Sequence, residues 1–146
     1  MPQLVTKNDF IGLWIFDPTR CRYKVGLPPK SGEYRIEPVD ESLQFTASWV
    51  AADDTVHKIS FCGVPDGQAH PYEDVALADV LITTLVDPHT LDTIIKKNDK
   101  TLAHARRVLS EDGRKLTVTQ YGRNEQGEWY RNLATYWRRD DAASPN

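Results

Sequence analysis

Cysteine and long apolar runs are scarce in this chain of 146 residues, and each shortage excludes a class of protein. The two cysteines, Cys21 and Cys62, stand too far apart for a C-x-x-C metal or redox motif. No apolar run approaches the ~20 residues that span a bilayer, so we predict no membrane span. The first ten residues include Lys7, Asn8 and Asp9 and lack the apolar core of a signal peptide. We therefore expect a cytoplasmic protein with two free thiols, and a Cys21–Cys62 disulfide if it is instead secreted.

Excess charge of one sign is also missing. The formal net charge is −3 and the sequence pI is about 5.8, so no nucleic-acid or anionic-membrane partner is predicted. Hydrophobic residues make up 40% and aromatic residues 10%, which indicates a folded globular body. The length suits a single domain over residues 1–146, with a polar lead-in at 1–9 and a frayed tail at 140–146. The sequence leaves monomer and homodimer open.

Helical periodicity is absent, because no ten-residue segment repeats apolar residues every 3.6 positions. We expect only short helical turns, one running from Thr6 into Phe10 and one at 74–78. Strand-like alternation is abundant instead. Apolar and polar residues alternate from 43 to 49 and again from 57 to 61, as on half-buried strands.

Short turns divide the second half of the chain into strands. Candidate strands lie at residues 12–16, 20–25, 34–39, 43–49, 57–61, 79–86, 90–97, 101–109, 114–121 and 129–138. Because connections of a few residues join only antiparallel neighbours, the last five strands form a meander. A long meander removes its exposed edges by closing, and a closed barrel of this size holds one small ligand. We predict an all-β protein with a single antiparallel up-and-down barrel of eight to ten strands.

The two ends of the chain resemble a known group of barrels. Phe10-x-Gly12-x-Trp14 at the start and Tyr136-x-Arg138 at the end are similar to motifs of the calycin superfamily, the lipocalins and fatty-acid-binding proteins. The hairpin at 110–116 resembles the late hairpin of small bacterial lipocalin-like proteins. The resemblance implies that Arg138 of the last strand covers the Trp14 indole beside Gly12 and closes one end. It also implies a small hydrophobic or aromatic ligand inside.

The chain also departs from those families. Intracellular fatty-acid binders carry a carboxylate clamp, Arg-x-Tyr, on the last strand. Here Tyr136 matches the tyrosine, but Ala134 stands in place of the arginine. Residues 17–32 are short and rich in proline compared with the two-helix lid of those proteins. A haem barrel with a histidine near its C-terminus is disfavoured because no histidine follows His104, and we expect no cofactor.

The candidate site follows from side-chain alternation. If Tyr136 points inward, every second residue of its strand and the matching faces of other strands do too. On strand 101–109 the family register favours the face of Leu102, His104, Arg106 and Val108, and a one-residue slip selects Ala103, Ala105, Arg107 and Leu109. The predicted ligand-binding residues are Tyr136, Tyr130, Asn132, His104, Arg106, Phe45, Trp49, Phe61, Val118 and Gln120.

An inward Arg106 needs an anionic partner, because a lone buried charge is very unfavourable. A ligand carboxylate or phenolate would serve, and so would Asp92 on the neighbouring strand. The histidines at 57, 70, 89 and 104 have no metal-ligand spacing, so no metal site is predicted.

Three functions remain. The favoured one is binding of a small, largely hydrophobic or aromatic ligand, without catalysis. The second is an isomerase, cyclase or lyase with His104 or His57 as general acid–base. The third is an interaction module whose barrel is filled by its own aromatic side chains.

Overall fold

The computed structural model describes residues 9–23, 27–72, 78–123 and 126–139. These residues form strands and turns without a helix, and none of them therefore belongs to a helix able to cross a membrane. Asp9 and Phe10 lie in a turn rather than in a helix. The rest of the predicted helical turn from Thr6, nearly all of the one at 74–78, and the tail at 140–146 lie outside the described residues.

Eleven β-strands are present. They are β1 (Gly12–Phe16), β2 (Arg22–Tyr23), β3 (Ser31–Val39), β4 (Ser42–Val50), β5 (Val56–Gly63), β6 (Asp66–Pro71), β7 (Val80–Asp87), β8 (Thr90–Lys97), β9 (Lys100–Leu109), β10 (Lys115–Arg123) and β11 (Trp129–Arg138).

The strands form one antiparallel sheet that curls into a nearly closed barrel. Ten of them follow the order β5-β4-β3-β1-β11-β10-β9-β8-β7-β6. The first and last strands pair directly, with Trp14 opposite Arg138. The two-residue β2 continues along β11, where Tyr23 lies opposite Asn132. The prediction of an all-β up-and-down barrel is therefore confirmed, with eleven strands instead of eight to ten, because Asp66–Pro71 also forms a strand.

The barrel is incomplete between β5 and β6, which are the two ends of the strand order. No backbone ladder joins these two strands. Instead Gly63 at the end of β5 packs against Thr83 of β7, and a Cβ at Gly63 would lie 2.3 Å from Thr83 Oγ1. Only glycine permits so close an approach, so this side of the barrel is closed by packing.

Tight turns set the meander. Between β8 and β9, Asn98 and Asp99 have φ angles of 53° and 64°, the left-handed pair of a two-residue hairpin turn that these residue types tolerate. Between β9 and β10, Gly113 has a φ of 72°. The Asp112 carboxylate accepts a 2.7 Å hydrogen bond from Ser110 Oγ in the same turn. Because these turns are so short, consecutive strands lie side by side and pair with each other.

Apolar side chains fill one half of the barrel. Trp14, Phe45 and Leu116 are fully buried there, and the Phe45 ring stacks on Phe61 at 4.9 Å between centroids. We call this region the closed end. Its core is made by Phe10, Trp14, Tyr34, Ile36, Leu43, Phe45, Leu91, Leu109 and Leu116.

Candidate functional site

An interior cavity of about 430 Å³ occupies the other half of the barrel, above the closed end. One wall is aromatic. The opposite wall is formed by the small residues of β9, Ala103 and Ala105. Toward the outside, the cavity meets Leu27 and Ile59, which are 77% and 52% exposed. The aromatic wall consists of Phe16, Tyr23, Tyr34, Trp49, Phe61 and Tyr136.

Residue size along β9 and β10 explains where the cavity begins. Near the closed end, Leu109 of β9 lies opposite Leu116 of β10 and both are buried in the core. Toward the mouth, Ala105 lies opposite Gln120. Where the inner face of β9 has alanine in place of leucine, no large side chain fills the interior of the barrel. The cavity therefore begins where the inward residues of β9 become small.

Arg107 is the one inward residue between the leucine and the alanines of β9. It is 2% exposed, and its guanidinium lies 4.4 Å from the Phe45 ring centroid. Arg107 Nε donates to the Tyr34 hydroxyl at 2.8 Å, and Nη1 donates to Thr93 Oγ1 at 2.8 Å. These contacts hold a permanent positive charge at the floor of the cavity.

That charge has no acidic partner among the residues that the structure describes. Its hydrogen-bond acceptors are neutral hydroxyls, and Nη2 makes no hydrogen bond to the described residues. Glu33 is the carboxylate that borders the cavity, and it lies 3.9 Å from Arg139 instead. A buried charge without a counter-ion is unfavourable. The cavity floor is therefore suited to receive an anion.

Tyr136 supplies a neutral polar group beside this charge. Burial raises the pKa of its hydroxyl, Tyr34 and Tyr23 add to the increase, and Arg107 opposes it. The pKa of Tyr23 is also raised, first by burial. Both hydroxyls stay protonated at neutral pH and are available as hydrogen-bond donors. The Tyr136 ring packs 5.6 Å from Tyr34 and 5.5 Å from Phe16, which fixes its position in the wall.

The predicted ligand-binding residues divide into two groups. The structure places Tyr136, Trp49, Phe61, Val118 and Gln120 on the cavity wall, and their role as ligand contacts stays a prediction.

The other five predicted residues lie away from the cavity wall. Phe45 is buried in the core below the cavity. Asn132 lies opposite Tyr23 of β2. The Tyr130 ring lies over Gly122, where a Cβ would meet the Tyr130 hydroxyl at 2.7 Å. The remaining two, His104 and Arg106, are on β9.

The predicted face of strand 101–109 is wrong. Leu102, His104, Arg106 and Val108 point outward, and Ala103, Ala105, Arg107 and Leu109 point inward. The cause is the register of β9, which sets Arg107 opposite the inward Val118, and a bulge between β8 and β9 at Ile95/Lys96. Each face contains one arginine followed by a large apolar residue, Val108 on one face and Leu109 on the other. The alternation of apolar and polar residues therefore did not show which face points inward. Arg107 was missed as a site residue for this reason.

Arg106 instead forms an ion pair on the outer face. Its Nε and Nη2 donate to the two Asp92 oxygens at 2.8 and 2.7 Å. Asp92 is the protein partner that the sequence offered as an alternative to a ligand anion. His104 Nε2 lies 3.5 Å from the same carboxylate, and its ring stacks on Tyr121. Burial opposes ionisation of Asp92, but Arg106 and His104 more than offset it and hold its pKa below the usual range. Asp92 could pair with Arg106 on either face, so this pair did not show from the sequence which way Arg106 points.

The two histidines considered as general acid–bases both lie outside the cavity. His104 belongs to the outer ion-pair cluster. His57 is exposed on β5, where its ring stacks on Trp49 at 5.3 Å and its Nε2 lies 2.8 Å from Thr55 Oγ1. The aromatics of the third hypothesis do not fill the barrel completely, since about 430 Å³ remains.

The predicted closure of the barrel is present. The Arg138 guanidinium lies 4.3 Å from the Trp14 ring centroid. Arg138 also donates to the carbonyls of Gly113 and Ile11 at 2.9 Å, and to that of Asp9. Every one of these acceptors is a loop or strand-end carbonyl. One side chain therefore ties both ends of the chain to the turn between β9 and β10.

Gly12 is required at this closure for two reasons. Its φ of 149° is a conformation that residues with a side chain rarely adopt. A Cβ there would lie 2.7 Å from Arg138 Nη1. The glycine therefore leaves the space that the guanidinium occupies above Trp14.

Comparison with known proteins gives one kind of match. No protein-family model and no curated protein sequence matches this chain. Among solved structures, the zebrafish ileal bile acid-binding protein, crystallised with cholic acid, aligns with a TM-score of 0.53 over 90% of this chain and 100% of that protein. The two sequences are 16% identical, so the likeness concerns the fold alone. Together with the strand order and the Trp14–Arg138 closure, it shows that this chain has the calycin barrel fold.

Proposed function

We propose that the barrel binds a small, largely apolar or aromatic molecule that carries an anionic group, with the anion against Arg107. The observation that carries this proposal is the buried Arg107 guanidinium, which contacts only neutral groups of the described residues. A carboxylate or sulfonate of a ligand would supply the missing counter-charge through charge-assisted hydrogen bonds. The zebrafish protein of similar fold was crystallised with cholic acid.

The rest of the cavity supports an apolar or aromatic body for the ligand. Trp49, Phe61 and Tyr136 offer ring faces, and Val118 adds an aliphatic contact. Gln120 and the protonated Tyr136 hydroxyl offer hydrogen bonds to a polar substituent. The exposed Leu27 at the mouth suits the apolar end of the ligand. The ligand therefore lies with its anion inward and its apolar end toward the mouth.

Carriage is favoured over catalysis because Glu33, the carboxylate on the cavity wall, lies beside Arg139, and neither histidine considered as a general acid–base lines the cavity. His57 and His104 lie outside the cavity, and Tyr136 has a raised pKa that keeps it protonated. We also propose, from composition, that the protein is a single cytoplasmic domain, monomeric or homodimeric, without a nucleic-acid partner.

The test compares acids with their neutral analogues. Naphthalene-2-carboxylic acid and dodecanoic acid are titrated beside naphthalene-2-carboxamide and dodecanol, with cholic acid as a fifth probe. Trp49 on the cavity wall reports binding by fluorescence, and a Trp49→Phe variant identifies its share of the signal. We expect the acids to bind ~30-fold or more tightly than the neutral molecules, as for a buried charge pair.

The matched control lies one residue away. Arg107→Met should abolish the preference for acids, whereas Arg106→Met, which removes the same charge from the outer face, should leave it unchanged. Equal affinity for acids and neutral analogues in the wild-type protein would refute the proposal. Loss of the preference in Arg106→Met alone would also refute it, because the anion would then bind outside the barrel.

A further inference from the structure

A second concavity, of about 490 Å³, lies on the outside of the barrel where β2, β10 and β11 meet. We call it the outer depression. It shares a single lining residue, Tyr23, with the interior cavity. Its lining residues are Arg22, Tyr23, Tyr121, Trp129, Tyr130, Arg131 and Leu133.

Local sequence explains its shape. Gly122 of β10 lies opposite Tyr130 of β11, and the Tyr130 ring occupies the space that a Cβ at Gly122 would fill. Beside it, Tyr121 stacks on His104 with 5.4 Å between the ring centroids, which holds the ring on the sheet surface. The two-residue β2 bounds the other side through its pairing with Leu133. The depression is therefore built from strand residues held in register.

Its charge is positive. Arg22 and Arg131 are exposed, and no carboxylate of the described residues lies within 4.0 Å of either. A third guanidinium, that of Arg123, lies 4.7 Å from the Trp129 ring centroid. Three other surface arginines have acidic neighbours: Arg20 has Asp17, Arg106 has Asp92 and Arg139 has Glu33. A net charge of −3 makes this local cluster of unpaired arginines distinctive.

Its surface is also aromatic. Trp129 is 48% exposed, and Tyr121 and Tyr130 lie beside it. A large exposed aromatic side chain next to unpaired guanidinium groups suits a ligand that is both planar and anionic. A simple inorganic anion would leave the rings without a partner. A nucleic-acid strand would meet a protein of net negative charge.

We propose that the outer depression is a second binding site, separate from the interior cavity, for a planar aromatic anion such as a ring system bearing a carboxylate, sulfonate or phosphate. The ring stacks on Trp129 and the tyrosines, and Arg22 and Arg131 bind the anionic group. This site goes beyond the proposed function, because it does not involve Arg107 and does not depend on a ligand inside the barrel.

The experiment uses 1-anilinonaphthalene-8-sulfonate as probe and Trp129 as reporter. Titrations are run in the Arg107→Met protein, so that the interior anion site does not contribute, and a Trp129→Phe version identifies the Trp129 signal. We expect saturable quenching of Trp129. Arg22→Gln combined with Arg131→Gln should weaken it by about tenfold or more, the effect of losing charge-assisted hydrogen bonds.

Two controls make the result decisive. Arg35→Gln combined with Lys58→Gln removes the same charge from exposed positions on β3 and β5 and should change the affinity less than about twofold. The uncharged probe N-phenyl-1-naphthylamine should not quench Trp129. Circular dichroism and the unfolding midpoint establish that each variant is folded.

Three outcomes would overturn the second site. They are quenching of Trp129 that is unchanged in Arg22→Gln/Arg131→Gln, equal quenching by the uncharged probe, and disappearance of the Trp129 signal when Arg107 alone is replaced. The last outcome would assign the probe to the interior cavity. Failure of the interior site, seen as acids binding no better than neutral analogues, leaves the Trp129 measurement unaffected.

Discussion

The closed end and the cavity floor of this barrel hold an arginine each, and the two arginines have opposite surroundings. At the closed end, Arg138 lies over Trp14 and donates to three backbone carbonyls. In the interior cavity, Arg107 lies over Phe45 but donates to two hydroxyls and has no carboxylate among the described residues. The Arg138 guanidinium completes the fold. The Arg107 guanidinium can still bind an anion.

The difference separates stability from function. A group whose hydrogen bonds are complete stabilises the native state and has little to offer a ligand. A buried group with an uncompensated charge lowers stability and is retained where it serves binding. Substitutions at the closed end should therefore change unfolding, and substitutions at the cavity floor should change binding and even raise the stability of the ligand-free protein.

The largest effect is expected at Trp14. Its side chain is fully buried and its indole nitrogen donates to the Phe10 carbonyl at 2.9 Å. Trp14→Ala should lower the free energy of unfolding by ~3–5 kcal/mol, as for other large aromatic side chains removed from a core. Urea denaturation followed by circular dichroism measures this. An unchanged midpoint would mean that the closed end does not hold the barrel together.

Gly12 should show the next largest effect. Gly12→Ala forces a side chain into a φ of 149° and against Arg138 Nη1, so a loss of about 2–3 kcal/mol is expected. Gly113→Ala is the matched control, because its φ of 72° is also strained but nothing lies within 4 Å of its Cβ. It should cost about 1–2 kcal/mol. Equal losses for the two variants would show that the contact with Arg138 adds nothing.

Arg107→Met should move stability in the opposite direction. Replacing an uncompensated buried charge by an apolar side chain of similar length should stabilise the ligand-free protein by about 1–2 kcal/mol, because the partners of Arg107 are neutral hydroxyls and no carboxylate of the described residues is left unpaired. A thermal unfolding scan without ligand measures the change. A lower unfolding midpoint would show that the hydrogen bonds of Arg107 outweigh its burial, and the contrast between the two arginines would disappear.

The sequence predicted the closed end better than the cavity. The strand order and the meander turns follow from short-range patterns, because turn residues and alternation act locally. The contact between Arg138 and Trp14 beside Gly12 was implied by the resemblance to calycin barrels. Arg107 was beyond such reasoning. Whether it or Arg106 points inward depends on the register of β9 against β10 and on one bulge, and these are long-range features that reverse a whole face by a single residue.

The smallest effect on stability is expected for Arg106, the arginine on the outer face of β9. It also provides the control for Arg107 on the inner face. Arg106 is 45% exposed at its side chain, so the Arg106–Asp92 pair should contribute about 1 kcal/mol or less at neutral pH. The pKa of Asp92 is lowered in the folded state, so the contribution is present above the unfolded-state pKa near 4 and is lost as the pH falls through the folded-state pKa. Asp92→Asn and Arg106→Met should therefore be less stable than wild type at pH 7, and the deficit should shrink as the pH falls through the folded-state pKa of Asp92. Urea midpoints measured from pH 7 down to the acid limit of the folded state test this. A deficit that stays constant would mean that packing, and not the ion pair, stabilises this outer face. Arg107→Met should keep its stability difference over the same pH range, because no carboxylate of the described residues is paired with Arg107.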